Sequence, residues 1–151
     1  MTVDVTTSIE INRPVEEVAT YSANPDNAPM WYVNIQSMEW KSPRPLSIGS
    51  EVAFVANFLG RQLSYTYEIV EYIPNQRLVM RTSQGPFPME TTYTWGATTT
   101  GTHMTLRNTG EPAGFSKLFA PLMVRSMRQA NRNDLANLKQ ILESKTSSRT
   151  T

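Results

Sequence analysis

Hydrophobic and polar residues alternate at the start of the chain. In VDVTTSIEI, residues 3–11, every second position is apolar or β-branched, and polar residues stand between them. This period of two predicts a half-buried strand. Pro14 follows at a place where the first turn of a helix tolerates proline. Pro25 and Pro29 limit the next stretch to a short second helix or a turn.

The same alternation returns in six later segments. These are IQSMEWK, EVAFVANF, QLSYTYEIVEYI, RLVMRTS, METTYTW and HMTLRN, and the last five are separated by turn signals containing Gly60, Pro74, Gly85 and Gly101. Short connections of this kind join antiparallel neighbours. With the first segment they predict seven strands in one curved antiparallel sheet.

The periodicity becomes helical from about residue 115 to residue 143. Apolar residues recur at about 100° per residue; they are Phe119, Leu122, Met123, Met127, Ala130, Leu138 and Ile141. The opposite side carries Arg125, Arg128, Arg132 and Lys139. This separation predicts a long amphipathic helix lying over the sheet. We expect a kink or a broken start at Pro121, because proline removes an amide donor.

Composition excludes several classes of function. A length of 151 residues suits a single domain, and a net charge of +1 gives no general attraction to nucleic acid or membrane. The chain has no cysteine and one histidine, His103, so we expect no thiol catalysis, no metal site and no cofactor. Its first residues lack the basic start and apolar run of a signal peptide, and no stretch reaches 18 apolar residues. We therefore expect a cytoplasmic protein without a membrane span.

One face of the predicted sheet is chemically mixed. By strand parity it carries Phe54, Phe58, Tyr65, Tyr67, Met80, Met89, Tyr93, Trp95 and Asn108. Their hydroxyl, indole and amide groups need partners in a dry core, whereas a ligand pocket combines apolar walls with a few polar groups. Two interpretations stay open: a pocket, or a solid interior whose tyrosines reach solvent at the sheet edge.

Several short motifs, taken with the order of the elements, resemble the START-related SRPBCC superfamily of Bet v 1-like, helix-grip proteins. PVEEVATYSANPDNAPMW resembles its first-helix signature, IVEYIPNQRLVMRT its strand–turn–strand, and GTHMTL with DLANLKQILE its C-terminal part. SQGPFPMETTYTW is similar to aromatase/cyclase members of the polyketide cyclase/dehydrase-like subgroup. The resemblance implies an α+β helix-grip domain over residues 1–143, in which a curved seven-stranded sheet wraps a long helix around a hydrophobic cavity. Residues 144–151 are predicted to be a disordered tail.

The resemblance also implies where a ligand would lie. The two short helices would close one end of the cavity, so Met30, Trp31 and Tyr32 would form its lid or rim; the alternative is that they plug a core. Met123 and Met127, on the same helix face as Phe119, would face the cavity with adaptable thioether side chains. Plain core packing is the alternative for both methionines.

Binding and catalysis both remain open. The resemblance implies an arginine on a central strand for aromatase/cyclase activity, but no arginine stands between Arg61 and Arg77. Arg81 and Arg107 fall by parity on the outer face, where we expect them to pair with Glu68, Glu90 or Asp4. The remaining catalytic candidates are Tyr65, Tyr67 and Tyr93 as donors or weak acids, and Glu71 if it turns inward. His103, in a hairpin, is predicted to be structural.

The combined hypothesis is a protein that binds a small hydrophobic, partly oxygenated molecule, lipid or polyketide-like, in an internal cavity. The alternatives are a polyketide cyclase, aromatase or dehydratase that uses pocket tyrosines, and a co-chaperone-like interaction module. The basic helix face, Arg125, Arg128, Arg132 and Lys139, favours weak contact with anionic lipid or an acidic carrier protein, unless it is simply a solvated face. We expect a monomer or homodimer that does not bind nucleic acid.

Overall fold

The structure is a computed structural model, and it describes residues 3–58, 60–85, 88–111 and 120–144. Its elements are β1 (Val3–Ile11), α1 (Val15–Ala23), a 3₁₀ turn (Pro25–Asn27), α2 (Ala28–Trp31), β2 (Ile35–Trp40), β3 (Glu51–Phe58), β4 (Arg61–Ile73), β5 (Arg77–Gln84), β6 (Met89–Ala97), β7 (Thr102–Gly110) and α3 (Ala120–Ser144). The predicted α+β architecture, with two short helices after the first strand, is confirmed. The predicted helical residues 115–119 and the tail beyond Ser144 lie outside the described residues.

The seven strands form one antiparallel sheet with the order β1-β7-β6-β5-β4-β3-β2. Strands β2 to β7 pair as sequential neighbours, and β1 joins the far edge by pairing with β7, with Val3 opposite Gly110 and Ile11 opposite Thr102. The sheet curls around α3, which is the helix-grip arrangement. Among the strands, α3 packs chiefly against β1. Pro121 lies in the first described turn of α3, and the helix is continuous from Ala120 onward.

Strand parity determines which side chains face α3. In β1, Val3, Val5 and Ile11 are buried, and most residues between them are exposed. In β7, Met104 and Leu106 are fully buried. Because successive side chains of a strand point to opposite faces, one parity in each strand supplies the core, as the alternation predicts.

A bulge in β4 reverses this parity near the end of the strand. The register shifts between Ile69 and Glu71, and one extra residue turns every later side chain to the other face. Glu71 consequently lies on the outer face, 3.3 Å from Arg77, and Tyr72 packs against the core. The hypothesis that Glu71 turns inward is wrong for this reason.

The three bulky residues at the end of α2 have three different environments. Met30 is 64% exposed and Trp31 is 0% exposed, while Tyr32 is half-buried. The Trp31 ring lies 4.1 Å from that of Tyr32 and 5.8 Å from that of Tyr93, measured between centroids. Trp31 is therefore a core residue, which the sequence offered as the alternative to a rim, and Met30 faces solvent.

Two polar side chains of α3 hold the α2 segment in place. The Asn137 amide donates to the backbone oxygens of Met30 and Trp31, at 3.0 and 3.1 Å. The backbone N–H of Val33 donates to Asp134 Oδ1 at 2.8 Å. Because short helices contribute little stability by themselves, these contacts and the buried Trp31 ring position α2 over the sheet.

This arrangement predicts unequal effects for two neighbouring truncations. Trp31→Ala removes a fully buried ring, so we expect the free energy of unfolding to fall by about 3–5 kcal/mol. Met30→Ala removes an exposed side chain, so we expect a change within about 0.5 kcal/mol. Urea unfolding followed by far-UV circular dichroism measures both. Equal losses for the two variants would contradict the assignment of Trp31 to the core.

Candidate functional site

A cleft with a volume of about 150 Å³ lies between the concave face of the sheet and α3. Strands β3 to β7 supply one wall, α3 the other, and the segment after α2 the rim. Its lining residues are Tyr32, Asn34, Ile35, Phe54, Ala56, Asn57, Leu63, Tyr65, Tyr67, Met80, Met89, Thr91, Tyr93, Asn108, Met127, Ala130, Asn131 and Asp134. The accessible surface of the cleft is largely apolar, although ten of the eighteen lining residues carry a polar side-chain group.

Nine of the residues predicted to bind a ligand line this cleft. They are Tyr32, Phe54, Tyr65, Tyr67, Met80, Met89, Tyr93, Asn108 and Met127. The cleft brings together the three candidate tyrosines Tyr65, Tyr67 and Tyr93, while Glu71 points away from it. Their role in binding or catalysis stays a prediction.

Other predicted ligand residues lie elsewhere. Met30 is on the surface and Trp31 in the core. Trp95 is buried beside α1, where its Nε1 donates to Ser22 Oγ at 3.0 Å. Met123 is in a separate apolar cluster with Val3 and Val5 of β1, which corresponds to the core-packing alternative. The Phe58 side chain and Phe119 lie outside the part of the chain that the structure describes.

Two of the cleft tyrosines satisfy each other's hydroxyl groups. Tyr32 and Tyr93 share a short hydrogen bond between their hydroxyls. Burial raises the pKa of both Tyr32 and Tyr93, and nearby Asp134 adds to both. Burial also raises the pKa of Tyr67 to about 12, although a hydrogen bond with Thr91 lowers it. These groups are therefore protonated hydrogen-bond donors, and they are poor bases near neutral pH.

A second polar chain runs across the sheet wall. The Thr91 hydroxyl donates to Asn108 Oδ1 at 2.6 Å, and both residues are buried. Thr91 lies beside Tyr67, which its hydrogen bond links to the same chain. Tyr93 and Asn108 thus find partners at the cleft, and Trp95 finds one beside α1, rather than in solvent.

Asp134 is the strongest chemical feature of the cleft. Asp134 is only 3% exposed, and its Oδ1 accepts a hydrogen bond from the Val33 N–H. Removal from water raises the pKa of Asp134 to about 7, against the opposing effect of the Val33 bond. Because desolvation disfavours a carboxylate, the group gains and loses its proton near neutral pH. Because a titratable group with a shifted pKa lines a cleft here, Asp134 is a candidate functional residue.

Asn131 stands one helical turn before Asp134 and lines the same cleft. It is 4% exposed, and its Nδ2 has no hydrogen-bond partner in the structure. A buried amide donor without a partner is costly, and a ligand oxygen would satisfy it. Asn131 and Asp134 therefore present a donor and a titrating carboxyl from one face of α3.

Sequence reasoning missed both residues, although a signal was present. With Met127, Leu135 and Leu138 they share the apolar face of α3, at the three- and four-residue spacing of a helix. A polar residue inside an apolar stripe is the informative exception.

The charged groups predicted to lie outside the cleft do so. Arg81 pairs with Glu90 at 2.9 Å and Arg107 with Asp4 at 2.7 Å, all on the outer face. Among the residues that the structure describes, no arginine, lysine or histidine lines the cleft. His103 is exposed and contacts Glu10.

The α3 surface keeps much of its predicted basic character. Arg125 and Arg132 are exposed and Arg128 is half-buried. Lys139 has intramolecular partners, since its Nζ donates to Glu143 and to the Glu10 backbone oxygen, each at 2.7 Å. None of the described helices is both long and apolar enough to cross a membrane. Nor do the described residues contain a group of three metal-binding side chains.

Comparison with known proteins points to one family. The family model described as "Polyketide cyclase / dehydrase and lipid transport" matches residues 2–143. A comparison with curated protein sequences finds no match.

Solved structures share the fold at low sequence identity. The protein TTHA0849 from Thermus thermophilus is 19% identical with a TM-score of 0.78, over 93% of this chain and 95% of that one. A START superfamily protein from Mycobacterium smegmatis is 12% identical with a TM-score of 0.80, over 93% and 97%. The Zhui aromatase/cyclase from Streptomyces sp. R1128 is 12% identical with a TM-score of 0.79, over 97% and 96%. These likenesses establish the fold alone.

The environment of Asp134 predicts a pH-dependent stability. The pKa of Asp134 is about 7 in the folded chain, against a usual value of 3.8, so the folded chain binds this proton more tightly than the unfolded chain does. The free energy of unfolding therefore falls as pH rises from about 4 to about 7. At about 1.4 kcal/mol per pH unit, the loss is on the order of a few kcal/mol. Asp134→Asn keeps an oxygen for the Val33 N–H and should remove this dependence.

Urea unfolding between pH 4.5 and 8 measures the effect. Asp4→Asn is the matched control, because Arg107 lowers the pKa of Asp4 on the outer face, so Asp4 is ionised in the folded and unfolded chain throughout this range and its loss should leave the pH dependence unchanged. An Asp134→Asn protein that loses stability with rising pH as steeply as the unchanged protein would show that Asp134 titrates normally.

Proposed function

Because the chain belongs to the polyketide cyclase / dehydrase and lipid transport family, we propose that it binds a small, largely apolar molecule with oxygen-containing groups in the cleft. The observation that carries this proposal is the unpartnered Asn131 amide beside the buried Asp134 carboxyl, set in apolar walls. Binding sites typically combine apolar walls with a few converging polar groups. Residues 1–143 act in this proposal as one ligand-binding domain.

The size of the cleft limits the part of the ligand that it holds. A cavity of about 150 Å³ lined by apolar side chains accommodates benzene, and the cleft has about this volume. A group the size of one ring therefore fits without rearrangement. A larger molecule would leave part of itself outside or displace side chains.

The charge of the cleft favours a neutral ligand. Asp134 is the one ionisable acid or base of ordinary strength among the described lining residues, and no described cation faces it. A ligand carboxylate placed here would meet a second acid without a counter-charge, which is unfavourable in a desolvated site. A ketone, a phenol or an alcohol avoids this cost and supplies the oxygen that Asn131 lacks.

The proposal predicts that filling the cleft abolishes binding. Ala130→Phe adds a ring to the α3 wall of the cleft, and Ala136→Phe adds the same ring to the exposed side of the helix. Native mass spectrometry of protein purified from its own host, followed by denaturing extraction, should detect a neutral co-purifying molecule with the unchanged protein and with Ala136→Phe. We expect at least a tenfold lower occupancy for Ala130→Phe.

Circular dichroism and the thermal midpoint verify that both variants fold. Equal occupancy in the two variants would contradict binding in the cleft. It would favour the interaction-module alternative, in which the surface acts and the cavity is dispensable. The cytoplasmic location, the contact of the basic α3 face with lipid or a carrier protein, and the oligomeric state stay predictions.

A second candidate function is catalysis, and the pKa of Asp134 favours it. A general base works best when its pKa lies near the working pH, and burial raises that of Asp134 to about 7. As a carboxylate it can remove a proton from the carbon next to a carbonyl group. The C–H bond breaks and Asp134 gains the proton; the electron pair of that bond forms a carbon–carbon double bond, and the π pair of the carbonyl moves onto its oxygen to give an enolate.

The enolate would need hydrogen-bond donors, because no described arginine lines the cleft. The Asn131 amide is one such donor and has no other partner. The hydroxyls of Tyr32 and Tyr93, which burial keeps protonated, supply one further donor, because one of them donates to the other and the second has its proton free. Neutral donors arranged in advance stabilise developing charge in a site shielded from water. In this mechanism the cleft tyrosines donate hydrogen bonds, and Asp134, not a tyrosine, is the base.

Catalysis can be tested without knowledge of the natural substrate. We expect the protein to accelerate exchange of the methyl protons of acetophenone in D₂O, measured by proton NMR, with a rate that rises as pH passes through about 7 because Asp134 loses its proton. Asp134→Asn should lower the enzymatic rate at least about 100-fold. Glu71→Gln, on the outer face, is the control and should leave it unchanged.

Exchange at the buffer rate in the unchanged protein would exclude this enolisation chemistry and leave binding as the proposed function. A pH profile that is the same in Asp134→Asn would show that another group is the base.

A further inference from the structure

A second concave space lies outside the cleft, beside the C-terminal end of α1. It is a groove of about 320 Å³ between the 3₁₀ turn, the end of β2 and the β2–β3 connection. A chamber of about 20 Å³ has walls in common with both the groove and the cleft, and it has room for about one water molecule. The groove and the cleft are therefore separate, and a ligand in one does not extend into the other.

Aromatic rings and prolines form much of the groove wall. Trp40 and Tyr72 are half-buried there, and Pro25 and Pro45 also line it. The bulge in β4 brings Tyr72 to this wall and turns the acidic Glu71 to the outer face. Such walls suit a flat aromatic ligand. The groove has about twice the volume of a cavity that accommodates benzene, so two fused rings fit.

The one carboxylate among the described residues of the groove is engaged within the protein. Asp26 Oδ1 accepts hydrogen bonds from Trp40 Nε1 at 2.9 Å and from Arg44 Nη2 at 3.0 Å. Its Oδ2 accepts a hydrogen bond from Arg44 Nη1 at 2.6 Å. Both carboxylate oxygens are thus occupied, and Asp26 holds the Arg44 guanidinium in one orientation.

Arg44 keeps one edge of its guanidinium for a ligand. A guanidinium has five N–H groups, and the two bonds to Asp26 use the nitrogens at its end. One flat face lies over the Trp40 ring, with Cζ 5.1 Å from the ring centroid. The Nε–H and the Nη N–H on the same edge have no partner among the residues that the structure describes. These two donors form a fork that matches the two oxygens of a carboxylate.

The other polar groups of the groove also have protons to donate. Asn24 Oδ1 accepts the Asp26 N–H at 3.0 Å, which leaves the Asn24 amide Nδ2 as a donor. The hydroxyls of Thr20 and Tyr72 have no hydrogen-bond partner in the described part of the chain. A ligand that brings acceptor oxygens therefore meets several donors, beginning with the Arg44 fork.

We propose that this groove is a second binding site, and that its ligand is an aromatic carboxylate of about two fused rings. The carboxylate binds the free edge of Arg44, and the rings lie against the walls that contain Trp40 and Tyr72. The groove accepts the charge that the cleft disfavours, because a described arginine lines the groove and none lines the cleft. This inference does not depend on the proposed function of the cleft.

Two probes of nearly the same shape test the site: 2-naphthoate and its neutral analogue, methyl 2-naphthyl ketone. The indole Nε1–H signal of Trp40 in ¹⁵N NMR, assigned with Trp40→Phe, follows binding in the groove and not in the cleft, which Trp40 does not line. From titrations of this signal at pH 7, we expect 2-naphthoate to bind at least about tenfold more tightly than the ketone, because its hydrogen bonds with Arg44 join two charged groups.

Variants of the arginine test the role of the fork. Arg44→Gln should weaken the binding of 2-naphthoate at least about tenfold, and Arg44→Lys should recover only part of the loss, because lysine has the charge without the planar fork. Arg81→Gln is the matched control and should change nothing. The Arg81 side chain is 61% exposed against 62% for Arg44, and it pairs with Glu90 on the outer face.

A further variant fills the groove and leaves Arg44 in place. Thr20→Phe adds a ring to an exposed position of α1 that lines the groove, and it should also weaken the binding of 2-naphthoate at least about tenfold. Circular dichroism verifies that each variant folds. If Arg44→Gln does not fold, Thr20→Phe tests the site alone, and unchanged affinity in that variant would overturn it.

Three other results would overturn the inference. The first is a Trp40 signal that does not shift with 2-naphthoate at millimolar concentration. The second is equal affinity for the acid and the ketone at this signal, which would leave the Arg44 fork without a role. The third is an equal effect of Arg44→Gln and Arg81→Gln. None of these results bears on ligand binding in the cleft, which other residues line.

Discussion

Unequal coverage of the sheet by one helix determines the interior of this protein. Seven strands at about 4.8 Å spacing span roughly 29 Å, whereas a helix with its side chains is about 10–12 Å wide. The helix α3 packs chiefly against β1, so the concave face toward β3 and β4 has no second long helix above it among the described residues. The short α2 and large aromatic side chains cover part of that area. The remainder is the cleft.

The polar groups of α3 connect the cleft with the position of α2. Asp134 lines the cleft and accepts the Val33 N–H, and Asn137, one turn later, holds the end of α2. A buried carboxylate is unfavourable for folding unless its environment compensates, and a single backbone N–H compensates only in part. Residues that contradict local rules for stability tend to occur at functional sites. Asp134 and the unpartnered Asn131 fit that description better than any tyrosine in the cleft.

Periodicity predicted the fold because it depends on geometry that every residue shares. Alternation along β1 and β7 assigned Val3 and Leu106 to the core, and the helical period assigned α3 to a place over the sheet. The bulge before Glu71 was beyond this reasoning: the adjacent apolar residues Ile69 and Val70 interrupt the alternation, but without a glycine or proline this interruption does not distinguish a bulge from a stretch buried on both faces. Trp31 and Met30 could not be told apart either, since neighbouring residues of a helix point about 100° apart and a four-residue helix has no periodicity of its own.

The candidate site was less predictable than the fold because it depends on distances between elements. Tyr32 and Tyr93 are 61 residues apart in sequence and share a hydrogen bond, which no local pattern contains. The missing strand arginine was the one negative feature that the sequence did reveal, and it has a physical consequence. Without a described cation in the cleft, any negative charge that develops on a ligand must be stabilised by neutral donors, and Asp134 must be protonated or deprotonated without a partner of opposite charge. Under the proposed function, the protonation state of that one carboxyl separates binding from catalysis: when protonated it can donate a hydrogen bond to a ligand, and when deprotonated it can accept a proton from one.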